Sequence, residues 1–195
     1  MSTDTIRTRV LIVDDHPILR HGIAEMVARE GDLCVAGEAG SVPEALEFLA
    51  GNAVDVAIVD LSLDDRSGME LIRTVHQRYP RVRCLVLSMH DENLHAERAL
   101  RAGASGYVMK QEATRKIIAA LRRVRDGHVY LSDALGSQLL QRLAGAPAVA
   151  APAASGGAQQ LSVLSDRELE VLRLIGKGMK TGDIARTLHR VHAAV

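Results

Sequence analysis

Two carboxylates, Asp14 and Asp15, follow directly on the apolar residues 10–13 in the stretch VLIVDDHPILRHG. Like charges this close repel, and a low-dielectric interior strengthens the repulsion. Either both side chains reach water or a positive group lies against them. Further along, Asp60 ends the run DVAIVD, Ser88 ends RCLVLS and Lys110 follows GYVM. Clustered carboxylates suit a hard divalent cation such as Mg2+, which takes oxygen ligands and keeps several waters. A carboxylate beside such an ion is a candidate nucleophile. A phosphoryl group gained by Asp60 would then have oxygens near the ion, the Ser88 hydroxyl and the Lys110 ammonium.

These groups converge only if the elements beneath them are parallel. Short β-branched runs alternate with stretches of helical period. RVLIVD, LCVAGE, DVAIVD, RCLVLS and GYVM read as five strands. Helices are predicted near 16–29, from Ser41 onward, near 68–79, near 92–102 and over 113–127. Ser41 with Glu44 three residues on is a capping-box pattern. Continuous apolar strands imply burial on both faces. The expected fold is α/β, a doubly wound five-stranded parallel sheet between two helical layers. Ligands of such sheets bind beyond the carboxyl ends of the strands, where the strand order reverses.

Composition excludes several classes of function. The chain has 195 residues, 47% of them apolar but only 2% aromatic, so the core must be aliphatic and base stacking has little to work with. The formal net charge is zero, so a nucleic acid or membrane would have to meet a local patch. Cys34 and Cys84 stand apart in apolar segments and read as buried free thiols. No signal-peptide core or bilayer-length apolar run is present, and a soluble cytoplasmic protein with no membrane partner is expected. A helical pattern near 133–143 follows the last repeat. The uncharged Ala/Pro/Gly-rich stretch 144–160 reads as a semi-stiff linker. Beyond it, Ser165 and Glu168 cap a helix that ends at Gly176 and Gly178, and a short helix follows near 181–188.

The paired Asp after the first strand, the Asp in VDLSLDDRSG, the Ser in LVLS and the Lys in GYVMK resemble the receiver domain of two-component response regulators. DDHP, and GYVMK without a following Pro, resemble the NarL/FixJ subfamily. LSDRELEVLRLIGKGMKTGDIARTL resembles the start of its LuxR-type helix-turn-helix. The resemblance implies a flavodoxin-like receiver domain over 1–128, a helical extension and linker over 129–160, and a partial DNA-binding domain over 161–195. It implies phosphorylation of Asp60 by a sensor histidine kinase, with Mg2+ held by Asp14, Asp15, Asp60 and the backbone carbonyl of Ser62. Ser88 and Lys110 would bind phosphoryl oxygens, and Tyr107 would be an aromatic switch coupled to Ser88. It further implies a homodimer on phosphorylation and a transcription regulator as output.

The sequence departs from the pattern in two places, one at Asp64 and one at the end of the helix-turn-helix segment. Asp64, beside Asp65, stands where the family often has Pro; the pair either tunes the site or is a solvated loop. His16 reads as a helix-start residue rather than a ligand. Past Leu188 the sequence has seven residues, roughly 10 Å of helix, short of an element that reads a major groove. Over 161–195, six Lys and Arg face four Asp and Glu. Weak DNA binding is therefore expected of the chain as written; a cut chain, a shortened gene and a retained degenerate tail remain open. The alternative function is a phospho-acceptor or sequestering partner that does not bind DNA. An aspartyl-phosphate enzyme is disfavoured, because the residues two places after Asp60 and Asp14 are Ser62 and His16 rather than a second carboxylate.

Overall fold

The computed structural model describes residues 7–63, 67–89 and 92–137, with side chains from 95 onward in the last stretch. Strands β1 (Thr8–Val13), β2 (Leu33–Ala39), β3 (Val56–Asp60), β4 (Arg83–Ser88) and β5 (Ala104–Met109) alternate with helices. These are α1 (Pro17–Ala28), α2 (Val42–Gly51), α3 (Gly68–Arg78), α4 (Glu92–Ala102) and α5 (Ala113–Arg125). All strand pairs are parallel, in the order β2-β1-β3-β4-β5. The expected doubly wound flavodoxin-like fold is thus present, and its order reverses between β1 and β3. The chain divides into two compact units, residues 1–146 and 147–195. Asp64, Asp65, the linker and the helix-turn-helix segment lie outside the described residues, as does the predicted helix 133–143 beyond residue 137.

The central strands β1, β3 and β4 are buried along nearly their whole length because successive side chains enter opposite cores, whereas the edge strand β2 is mostly half-buried and carries the exposed Glu38. Val10, Ile12, Ile58 and Leu87 pack with Ile23 and Val27 of α1 and Ile117, Leu121 and Val124 of α5. Leu11, Val13, Val59, Val86 and Tyr107 pack with Leu49 of α2, Ile72 of α3 and Ala99 of α4. The cores are aliphatic, as composition required. Cys84 lies inside, and burial pushes its thiol up to about 12. Cys34 is half-buried and also free. Among the described residues no helix is long and apolar enough to cross a membrane.

Local signals were read with small displacements. Ser41 Oγ accepts from the Glu44 amide at 3.3 Å. The Glu44 carboxylate, however, accepts from Gly40 N–H at 2.9 Å rather than closing the box on Ser41. That bond, with help from Ser41, holds the Glu44 carboxyl below its usual range. Strand β5 starts at Ala104, two residues before the expected GYVM run. Ala104 and Gly106 have weak strand propensity, but pairing with Cys84 and Leu85 imposes the conformation.

The segment after α5 was not legible as part of the sheet. Tyr130 pairs in parallel with Gly106 at the outer edge of β5. Tyr107 N–H donates to Tyr130 O at 2.8 Å, and Tyr130 N–H donates to Ser105 O at 3.1 Å. Leu131 and Leu135 then join the core cluster that contains Tyr107. The strap covers backbone groups that an edge strand would otherwise expose. Its close approach depends on Gly106, where an added Cβ would lie 3.0 Å from both Cβ and O of Tyr130. Gly106→Val is expected to lift the strap, costing about 1–3 kcal/mol in urea unfolding. Amide exchange at Tyr107 and Tyr130 should accelerate with it; unchanged protection there would show that the strap tolerates the side chain.

Candidate functional site

Strand register explains how distant residues meet. Val13 of β1 lies opposite Val59 of β3. The next residue on each chain is a carboxylate, so Asp14 and Asp60 emerge side by side where the strand order reverses. Ser88 ends β4, next to Leu87, the partner of Asp60. Lys110 follows β5, two strands from β3, and opens a short 3-10 turn, Lys110–Glu112. Its side chain crosses the end of β4, and Nζ lies 2.8 Å from Asp14 Oδ2 and 2.8 Å from Asp60 Oδ2.

The site is nearly dry. Asp14 and Asp60 are each 1% exposed and Ser88 is fully buried. The Asp15 side chain is 8% exposed. The opposing charge sought at the outset is therefore present in the chain itself, as Lys110. Burial raises the Asp60 pKa, with Asp14 adding to the rise and Lys110 opposing it. For Lys110, burial works against the ammonium, but attraction to Asp60 and Asp14 outweighs it and the pKa rises. A carboxylate pair bridged by one ammonium keeps a negative excess, and Asp15 adds to it.

Backbone groups aim these side chains. Asp60 Oδ1 accepts from Ser62 N–H at 3.1 Å. Ser62 thus meets Asp60 through its amide, the opposite pole from the carbonyl singled out in the sequence. Asp14 Oδ1 accepts from His16 N–H at 2.8 Å, which turns the carboxylate inward. Arg20, one turn into α1, donates to the Asp14 carbonyl at 2.5 Å and to Glu38 at 3.2 Å. Gly68 starts α3 directly against the Asp60 backbone: an added Cβ would lie 1.9 Å from Asp60 O. Its N–H donates to Leu61 O at 3.1 Å.

Asp14, Asp15, Asp60 and Lys110 are thus brought together, with Ser88 buried on the adjoining strand end. Tyr107 is 1% exposed and lies in the core beside Val86. His16 enters the acidic group: ligand atoms of Asp14, Asp15, His16 and Asp60 all lie within 4.8 Å of one another. Asp14 Oδ2 meets the Lys110 ammonium at 2.8 Å and Asp15 Oδ1 meets His16 Nδ1 at 2.6 Å. Three carboxylates against one ammonium keep a negative excess, and an oxygen donor set of this kind fits a divalent cation. Arg20 and Gly68 were missed by the sequence reading. Both stand inside the stretches VLIVDDHPILRHG and VDLSLDDRSG, but their roles come from contacts across elements.

Residues 10–122 match the response regulator receiver domain family. The chain is 34% identical over 177 residues to the DNA-binding transcriptional activator DevR/DosR of Mycobacterium tuberculosis, covering 91% of this chain and 78% of that one. It superposes on a LuxR-family two-component response regulator from Aurantimonas with TM-score 0.65 and 29% identity, over 71% of this chain and 99% of that one. The receiver domain of RcsB from Salmonella enterica serovar Typhimurium, in the presence of phosphomimetic BeF3−, gives TM-score 0.61 and 26% identity. That match covers 67% of this chain and 97% of the RcsB domain.

Two substitutions should move stability in opposite directions. In metal-free buffer at pH 7, Asp60→Asn is expected to raise Tm, since it removes a buried charge and leaves Lys110 paired with Asp14. A raised carboxyl pKa in the folded state means the fold binds that proton more tightly than the unfolded chain does. Stability therefore falls as pH rises through the interval above about 3.9, the unfolded value. The gain from Asp60→Asn should accordingly fade as pH drops toward about 4. Gly68→Ala should lower stability by about 1–3 kcal/mol, because backbone cannot yield as a side-chain tip can. A lower Tm for Asp60→Asn at pH 7 would refute the cost assigned to its charge.

Proposed function

From the premise that the chain belongs to the response regulator receiver domain family, we propose that Asp60 is its phospho-acceptor and that phosphorylation controls a DNA-binding transcription regulator. The observation that supports this most is the buried Asp60 carboxylate beside Asp14, Asp15 and Lys110. The donor is a phosphohistidine on a sensor histidine kinase. An Asp60 oxygen attacks phosphorus, the P–N bond breaks, and the leaving imidazole keeps the electron pair and takes up a proton.

Asp14, Asp15, Asp60 and the Ser62 carbonyl would hold Mg2+, which when bound neutralises phosphoryl oxygens and favours their approach to an acidic edge. Lys110 already lies on Asp60 Oδ2. Once that carboxylate becomes an acyl phosphate its own charge falls, and the ammonium turns to a phosphoryl oxygen. The Ser88 hydroxyl donates to another from the neighbouring strand end. Its movement reaches Tyr107, one strand away on β5, and biases an equilibrium between two receiver states. Homodimer formation follows from the favoured state. Residues 161–195 would contribute the DNA-binding output, a role in keeping with the printed activity of the mycobacterial relative. Similarity to regulators and transcriptional activators argues against a metabolic enzyme.

Treatment with acetyl phosphate and Mg2+ should add one phosphoryl group by intact mass, and chelation should prevent it. Asp60→Asn should abolish the adduct, and Lys110→Ala should lower its yield at least ~10-fold, by loss of a charge contact to the transferred group. An unmodified wild-type mass under these conditions would overturn the assignment.

A further inference from the structure

Arg20 meets the acidic edge through the backbone rather than through a carboxylate. It lies one turn into α1, and its side chain is 20% exposed. Nη1 donates to the Asp14 carbonyl at 2.5 Å, and Nε donates to Glu38 Oε2 of β2 at 3.2 Å. Asp14 is 1% exposed, and a buried carbonyl needs a donor. Asp14 N–H donates to Ala39 O at 3.1 Å. Asp14 is therefore held at four atoms: N by Ala39, O by Arg20, Oδ1 by His16 N–H and Oδ2 by Lys110.

The carbonyl that Arg20 holds belongs to the peptide joining Asp14 to Asp15. A peptide is planar, so fixing its oxygen fixes the direction in which Asp15 leaves. We propose that Arg20 is a positioning residue for the cation site: it locks this peptide and so aims Asp14 and Asp15 at one ion. This rests on the reading of the acidic edge as a cation site. By charge alone a guanidinium nearby would repel the ion. Here Glu38 offsets that charge. The Glu44 carboxyl, held low chiefly by Gly40 N–H, is lowered further by the same guanidinium. Arg20 thus serves as a hydrogen-bonding fork anchored on β2, a geometry that an ammonium does not reproduce. Charge and fork predict opposite signs. Loss of a bystander charge would tighten Mg2+ binding, whereas loss of the fork weakens it.

Calorimetric titration of the full chain with Mg2+ reads that sign directly. Arg20→Ala should weaken Mg2+ binding about 10-fold, the scale on which groups behind metal ligands act. Arg20→Lys, which keeps the charge and loses the fork, should weaken it about 3-fold. Arg9→Ala is the control. It breaks the 2.7 Å pair with Asp55 near the start of β1, at the opposite edge of the sheet, and should leave Mg2+ affinity unchanged. Unchanged or tighter binding in Arg20→Ala would overturn the proposal and leave the cation site standing. Wild-type affinity in Arg20→Lys would do the same, and that variant decides alone if Arg20→Ala folds poorly. An equal loss in Arg9→Ala would also overturn it, since any loosening of the fold would then suffice. If the wild type takes up no Mg2+, the proposal and the cation reading fail together.

Discussion

The Lys110 ammonium between Asp14 and Asp60 is the contact on which the site depends. Two carboxylates buried this deeply at adjacent strand ends would otherwise take up a proton or reach for water. Lys110 lies 2.8 Å from each and lets both stay inside. It does not neutralise them, because Asp14, Asp15 and Asp60 outnumber it. The edge therefore remains attractive to a cation while being tolerable without one.

That contact is available only because of sheet topology. The reversal of strand order between β1 and β3 makes Asp14 and Asp60 neighbours. β4 and β5 lie on the β3 side, so Ser88 and Lys110 arrive from one direction. α1 arrives from the other and brings His16 and Arg20. The helix starts are pressed close to the strand ends, and Gly68 is the position where the approach leaves no room for a side chain. The apolar cores on the two faces hold this edge in place, since most residues of β1, β3, β4 and β5 below it are buried.

The outer edge of the sheet carries a second constraint. β5 bears Tyr107 and leads into Lys110, and its backbone is occupied by the chain's own strap at Tyr130. Leu131 and Leu135 anchor that strap in the same cluster as Tyr107. A change at Tyr107 would therefore be felt along the segment that leaves the receiver fold.

Much of this was legible in residue order alone. Five apolar runs separated by helical periods can bury themselves only as a parallel sheet covered on both faces, and polar residues at their carboxyl ends must then share one edge. Asp14, Asp15, Asp60, Ser88 and Lys110 follow from that reasoning. The start of β5 and the strap were not legible, because Ala104, Ser105 and Tyr130 take their conformation from partners far away in the chain. His16 read as a helix start, and it is one, but its ring direction is a tertiary matter. Arg20 and Gly68 stand within the quoted stretches, but nothing in their residue types shows what they touch. Sequence determined which groups would meet, since side-chain period and strand direction are local. Tertiary structure alone decided how close they come, which atoms oppose which, and how dry the pocket is, because those follow from packing between elements.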